Sequence, residues 1–133
     1  MLAMEQADLY LLDYQQLDND HAEFINTLNR LIAADDSQFA SLFEQLMHHT
    51  QQHFDRENAL MDEYNFPATG EHKGEHQRVL GEFTQFKKRV DKGLIAFGRA
   101  YVKENLPAWF DLHVKTMDSA LVAHIKTRIA AQG

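Results

Sequence analysis

The sequence contains no cysteine, which excludes disulfides, thiolate metal sites and iron–sulfur clusters. Two prolines and six glycines in 133 residues are too few punctuators for a many-turned β fold, so long helices are expected. No stretch approaches the ~20 apolar residues that a membrane span requires. Positive charge is scarce: 13 Lys and Arg against 20 Asp and Glu give a net charge of −7. That is the wrong sign for a nucleic-acid backbone as partner. The opening MLAMEQADLY has neither a basic region nor a long apolar run. No secretory signal is therefore expected, and a cytoplasmic location is the default. What remains, 44% hydrophobic and 25% charged residues, is the balance of one globular domain over residues 1–133.

Histidine is the compositional oddity, with eight in the chain. Four segments carry apolar residues at helical spacing. The first follows LDND and places Leu17, His21, Phe24, Ile25, Leu28, Leu31 and Ile32 on one face. The second follows DDS, with Asp36 or Ser37 expected as its cap. Its stripe includes Phe39, Phe43, Leu46, Thr50, His53, Phe54, Glu57, Leu60 and Met61. NFPATG breaks the chain, and Thr69 is placed to cap a third helix. That stripe holds His72, His76, Val79, Leu80, Phe83, Phe86 and Val90, with Gly93 as the stop. The fourth carries Leu106, Trp109, Phe110, His113, Val114, Met117, Asp118, Leu121, Ile125 and Ile129. Pro107 either occupies its first turn or kinks a longer helix. The expected helices cover about 18–34, 38–64, 69–91 and 104–130. An N-terminal arm over about residues 1–16 precedes them, with Tyr10, Leu11, Leu12 and Tyr14 as anchors. Amphipathic helices with short connections make an all-α, antiparallel up-down four-helix bundle the expected fold.

Each stripe is apolar except near one level, where it carries His21; His53 and Glu57; His72 and His76; and His113 and Asp118. One buried polar group without a partner costs about 1–3 kcal/mol. Seven would cost roughly 7–20 kcal/mol, as much as the ~5–15 kcal/mol net stability of a domain. Either those faces are exposed or something inside the bundle binds all seven. A metal centre satisfies them together. Residues four apart on a helix share a side, so His53 with Glu57, and His72 with His76, can each converge on a point. His113 and Asp118 are five apart, about 140° around an α-helix. That is too wide for a chelate of one metal and suits opposite edges of a wide stripe. Five imidazoles and two carboxylates exceed the needs of one tetrahedral zinc and suit two octahedral ions bridged by the carboxylates. The mixture of donors favours iron, with manganese and zinc as alternatives.

Taken together, His21, HFDRE with His53 and Glu57, HKGEH with His72 and His76, and HVKTMD with His113 and Asp118 resemble the hemerythrins, above all the single-domain bacterial members. The surroundings LDNDHAEFINTLNRL, ENALMDEYNFP and LPAWFDLHV agree, and the resemblance covers roughly residues 10 to 130. It implies a hemerythrin-like bundle and a cofactor of two iron ions (Fe2+/Fe3+) with a bridging oxo or hydroxo group. His72, His76 and His113 would bind one iron, His21 and His53 the other, and Glu57 and Asp118 would bridge them. The second iron would keep one open position, where dioxygen binds. Phe54, Trp109, Phe110 and Val114, each beside a ligand, are the candidates for an apolar pocket wall. Asn58 stands where members often carry a second acid, and Phe110 is bulkier than the aliphatic residue common there.

The function implied is a non-haem di-iron protein, not an enzyme, that binds dioxygen reversibly for storage, transport or sensing. The alternatives are a di-iron enzyme acting on peroxide, nitric oxide or dioxygen, and an iron-buffering or redox-signalling module. Dioxygen is the expected partner, with a redox or oxygen-receiving protein beside it, no nucleic acid, no membrane, and a monomeric or weakly oligomeric state. HKGEH also reads as the H-x-x-E-H signature of inverted zinc proteases, with Glu75 as base. That reading leaves His21, His53, Glu57, His113 and Asp118 unexplained, and Glu75 falls off the apolar stripe, where it is expected to face solvent. His48, His49 and His124 lack stripe support and are expected outside the site.

Overall fold

In a computed structural model, which describes residues 10–132, the chain is an all-α, antiparallel up-down four-helix bundle. Helix α1 covers Gln15–Ala33, α2 Asp36–Glu63 and α3 Thr69–Asp91. The fourth rod, residues 95–132, is built from α4 (Ile95–Ala100), a π turn (Tyr101–Asn105), α5 (Leu106–His113), a second π turn (Val114–Asp118) and α6 (Ser119–Gln132). No described helix is long and apolar enough to cross a membrane.

The helix ends show how local chemistry places these rods, and in several places they depart from the expectation. α1 starts before LDND rather than after it. Asp18, inside the first turn, reaches back to accept hydrogen bonds from Leu12 N (2.7 Å) and Tyr14 N (3.2 Å), where an acid favours the exposed N–H groups. The cap of α2 is Asp35, not Asp36 or Ser37; its carboxylate accepts from Gln38 N at 3.1 Å and from Ser37 Oγ at 2.6 Å. Thr69 is the first residue of α3 rather than its cap, and its hydroxyl donates to Phe66 O at 2.6 Å. Gly93 ends the α3 connection with φ +87°, a conformation glycine adopts without steric penalty.

Pro107 neither starts nor breaks the fourth rod, which begins at Ile95 rather than near 104. In an unbroken α-helix its ring would meet the carbonyl of Lys103, and its missing N–H would leave that carbonyl unpaired. The preceding π turn widens the coil, and Leu106 N–H reaches Tyr101 O, five residues back. The proline is thus absorbed within a continuous rod.

The apolar interior falls into two clusters. One gathers Phe24, Leu28, Phe39, Phe43, Phe54, Val79, Phe83, Tyr101, Phe110 and Val114 with their neighbours. The other is smaller: Leu17, Leu60, Met61, Leu121, Val122 and Ile125. Between them lies one polar level, because each rod passes through it on its way from one cluster to the other. Ile129, expected on the buried stripe, is 47% exposed. In the described part of the arm, Tyr10 is buried, its ring 5.1 Å from that of Phe110 and its hydroxyl donating to Asp111 Oδ1 at 2.8 Å. Leu12 and Tyr14 are half-buried. Leu11 is not an anchor; it is 58% exposed. Residues 1–9 of the expected arm lie outside the described residues.

Candidate metal centre

The polar level is where all seven singled-out side chains meet. His21 on α1, His53 and Glu57 on α2, His72 and His76 on α3, and His113 and Asp118 on the fourth rod are each no more than 5% exposed. Their donor atoms form two groups that share both carboxylates. Glu57, His72, His76, His113 and Asp118 offer atoms all within 4.8 Å of one another, and so do His21, His53, Glu57 and Asp118. Each carboxylate is divided between the groups. Glu57 Oε1 lies 3.1 Å from His72 Nε2 and 3.0 Å from His76 Nε2, and Asp118 Oδ1 lies 3.0 Å from His113 Nε2. On the other side, Glu57 Oε2 is 2.6 Å from His53 Nε2 and Asp118 Oδ2 is 2.8 Å from His21 Nε2.

The expectation that His113 and Asp118 stand too far apart around the helix to face one point is wrong. Residues 114–118 form a π turn, in which hydrogen bonds run from i to i+5 rather than i+4. Five residues then make about one turn, and Asp118 returns to the side of His113. The same turn keeps Val114 buried beside the site. Periodicity counted at 3.6 residues cannot reveal it.

Charge at this level is arranged to cancel. Burial and the neighbouring Asp118 would raise the Glu57 carboxyl, but His53 and His72 outweigh them and hold it below its ordinary value. Burial likewise opposes ionisation of Asp118, and His113, His21 and His72 overcome it, holding that carboxyl well below the usual range. Burial disfavours charge on His72, yet the carboxylates of Asp118 and Glu57, each 3.1 Å from its Nε2, push its pKa up to about 9. His53 is raised in spite of burial by Glu57 beside it. His76, buried and flanked by other imidazoles, is lowered.

Aromatic rings close the level from the side of the larger cluster. Phe54 stacks on His76 with centroids 3.9 Å apart and planes 7° off parallel. Trp109 stacks on His113 at 4.7 Å. Phe110 meets His21 edge-on at 5.6 Å and stacks on Phe24 at 4.4 Å. Phe54, Trp109, Phe110 and Val114 were the wall expected from sequence; Phe24 was counted only as core, although its place three residues after His21 is the signal that puts it on the same face. Glu75 does not simply face solvent. It is half-buried, accepts from Trp109 Nε1 at 2.9 Å and pairs with Arg78. Those bonds engage it away from the histidines, as a protease base would not be. His48 is exposed, His49 pairs with Glu23 at 3.1 Å, and His124 Nε2 lies 2.7 Å from Tyr64 O; none joins the cluster.

The donor set fits metal ions better than it fits itself. Glu57 Oε1, Asp118 Oδ1 and His76 Nε2 are buried without a hydrogen-bond partner, although native interiors rarely leave such atoms unpaired. His72 Nε2 and His113 Nε2 face each other at 3.3 Å. A cation placed among these atoms turns every one of them into a ligand.

Comparison with known proteins decides the family. The profile described as "Hemerythrin HHE cation binding domain" matches residues 12–126. The chain belongs to the hemerythrin family. Among its curated relatives is a bacteriohemerythrin of Ralstonia nicotianae, 36% identical over 111 residues that make up 84% of this chain and 80% of that protein. A bacteriohemerythrin of Aquifex aeolicus is 29% identical over 77% of this chain and 82% of its own length. One from Stenotrophomonas maltophilia is 23% identical over 85% and 75%. This hemerythrin carries a buried His/Glu/Asp cluster that suits the cation binding named in that description.

Proposed function

We propose that this hemerythrin holds two iron ions side by side and binds dioxygen reversibly, for storage, transport or sensing. His72, His76 and His113 would hold one ion, His21 and His53 the other, and Glu57 and Asp118 would serve both. The observation that carries this reading is the division of each carboxylate, one oxygen toward the three-histidine group and one toward the two-histidine group. The three-histidine group offers one imidazole more than the two-histidine group, so an ion held by His21 and His53 would be the one with room for a further ligand. When bound, the metal pair supplies two electrons and that one free position to a diatomic ligand.

The rest is the work of the chain's own groups. Glu57 and Asp118 are held ionised by their histidine neighbours, so they keep two negative charges available for cations. On the two-histidine side, Phe110 meets the His21 ring, Phe54 lies beside the His53 ring, and Phe24 stacks on Phe110. These rings offer no hydrogen-bonding group, so they disfavour water and anions relative to a neutral diatomic. Asp20, tied through its carboxylate to the Arg56 guanidinium, braces α1 against α2 and lines the cleft beside Phe24 and His53. A binding protein is favoured over a catalyst because imidazoles outnumber carboxylates and no Glu-x-x-His pair of the oxygen-activating bundles occurs at the stripe positions.

Metal content with an absorption spectrum tests the proposal. Freshly purified protein from iron-replete cells should carry about two irons per chain. Its visible absorption should change on removing dioxygen and return when dioxygen is readmitted. Colourless protein with little iron would end the reading. Sustained turnover of peroxide or nitric oxide would shift it to an enzyme.

A further inference from the structure

The imidazoles of the site are not equally supported. Nδ1 of His21, His72 and His113 is buried with no hydrogen-bond partner. The His76 ring differs: its Nδ1 lies 2.9 Å from Asn58 Oδ1. Asn58 follows Glu57 on α2, about 100° further around the helix. Its side chain therefore turns from the shared interior toward α3, and the contact joins residues 18 apart in sequence.

This one bond decides which nitrogen of His76 carries the proton. A neutral imidazole has a donor nitrogen and an acceptor nitrogen. With an amide oxygen facing Nδ1, the proton belongs on Nδ1 and the lone pair on Nε2. Nε2 faces Glu57 Oε1 at 3.0 Å, across the space that a metal ion would share between them. The ring is further clamped by Phe54, stacked on its face at 3.9 Å. It can neither flip nor tilt without losing one of the two contacts. Its lone pair is thus aimed at the point where the three-histidine group converges.

The chemical class of the acceptor has a consequence of its own. A carboxylate in the place of this amide would accept the same proton in a charge-assisted bond, roughly twice as strong as a neutral one. That bond would draw the proton toward the acid and leave more negative charge on the ring, and a more basic ring favours the more highly charged state of a metal. The amide holds the ring with no added charge. We propose that Asn58 is a positioning residue that fixes the Nδ1–H tautomer of His76, and that its neutrality biases the metal pair toward the reduced state that takes up dioxygen. The second half rests on the di-iron reading of His76; the first half does not.

Two full-length variants and two kinds of measurement test this. In metal-free protein, nitrogen-15 NMR of the imidazoles should report a proton on Nδ1 of His76. A proton on Nε2 overturns the proposal, whatever metal the chain binds. In iron-loaded protein, Asn58→Leu removes the acceptor at similar volume and should weaken metal binding about 10- to 100-fold in competition with a chelator. Asn58→Asp should keep wild-type affinity while moving the midpoint potential to a more negative value and speeding conversion to the oxidised state several-fold, read at pH 7 and 8. Wild-type affinity in the Leu variant overturns the positioning role, and wild-type potential and oxidation rate in the Asp variant overturn the charge effect. Should the Leu variant fail to fold by circular dichroism, the Asp variant and the tautomer still decide. Wild-type protein that takes up no iron removes the di-iron reading and the charge effect with it, and leaves the tautomer result standing by itself.

Discussion

At the scale of single residues, the site is a contest between protons and metal for the same atoms. His72 shows it most plainly. Its pKa in the metal-free chain is raised to about 9, above the ~6.5 of an unfolded histidine. A raised base stabilises the fold fully below its unfolded pKa and loses that contribution as pH rises through the folded one. Glu57 and Asp118 are depressed, so their contribution is present above the ~4 of an unfolded carboxyl and is lost as pH falls. The metal-free chain should therefore melt highest between roughly pH 5 and 6.5 and lower on both sides. Metal requires the imidazoles neutral, so the loaded chain should have its maximum at higher pH, and loading at pH 7 should release protons. Melting curves against pH, with and without chelator, check this; coincident profiles would mean that protons and metal do not compete. Phe110 makes a second prediction at this scale. Its ring touches Tyr10, His21 and Phe24 at once, and Phe110→Ala should cost about 3–5 kcal/mol in urea denaturation. A loss under 1 kcal/mol would mean that the neighbouring rings close over the gap.

At the scale of elements, the fourth rod is the unusual one, because it carries two π turns where its neighbours carry none. A π turn is one residue more than an α turn, so removing a residue there leaves the register downstream almost unchanged. Deleting Thr116, exposed in the turn Val114–Asp118, should leave Leu121, Val122 and Ile125 in their cluster and the chain folded. Deleting Ala120, in regular α-helix, turns those three about 100° away and should unfold the end of the bundle. Circular dichroism melts of the two deletions separate the cases, and equal damage from both would deny the π turn its role. Where α4 crosses the larger cluster, Gly98 is forced by contact rather than by φ. A Cβ there would lie 2.6 Å from Val90 Cγ2 and 2.8 Å from Phe39 Cε1. Gly98→Ala should destabilise by about 1–3 kcal/mol, although alanine is the better helix former. A stabilised variant would show that Phe39 and Val90 yield easily.

At the scale of the molecule, a polar layer runs between two apolar clusters, and the four rods cannot close around it unless its charges are compensated. Metal binding and folding are therefore coupled. At a free metal concentration 100 times the dissociation constant, the gain is about 2.7 kcal/mol, on the order of 10 °C in Tm for a chain of this size. Equal Tm values for loaded and chelated protein would mean that the layer is already satisfied without metal.

Much of this was legible along the chain. The four apolar stripes, interrupted at one level by His21, His53, Glu57, His72, His76, His113 and Asp118, follow from helical periodicity, and periodicity is a local property that survives in one dimension. The ends of the rods were less legible. Asp35 and Asp18 cap from positions only the folded backbone selects, and Pro107 looks like a helix break until a π turn absorbs it. What the tertiary structure alone decided is which oxygen of Glu57 and of Asp118 faces which histidines, the return of Asp118 to the side of His113, and the contacts of Asn58 with His76 and Glu75 with Trp109. The return of Asp118 comes from a π turn within its own rod; the others depend on the distance and rotation between rods. Distance and rotation between rods are set by packing summed over the whole interior, and no spacing within one helix encodes them.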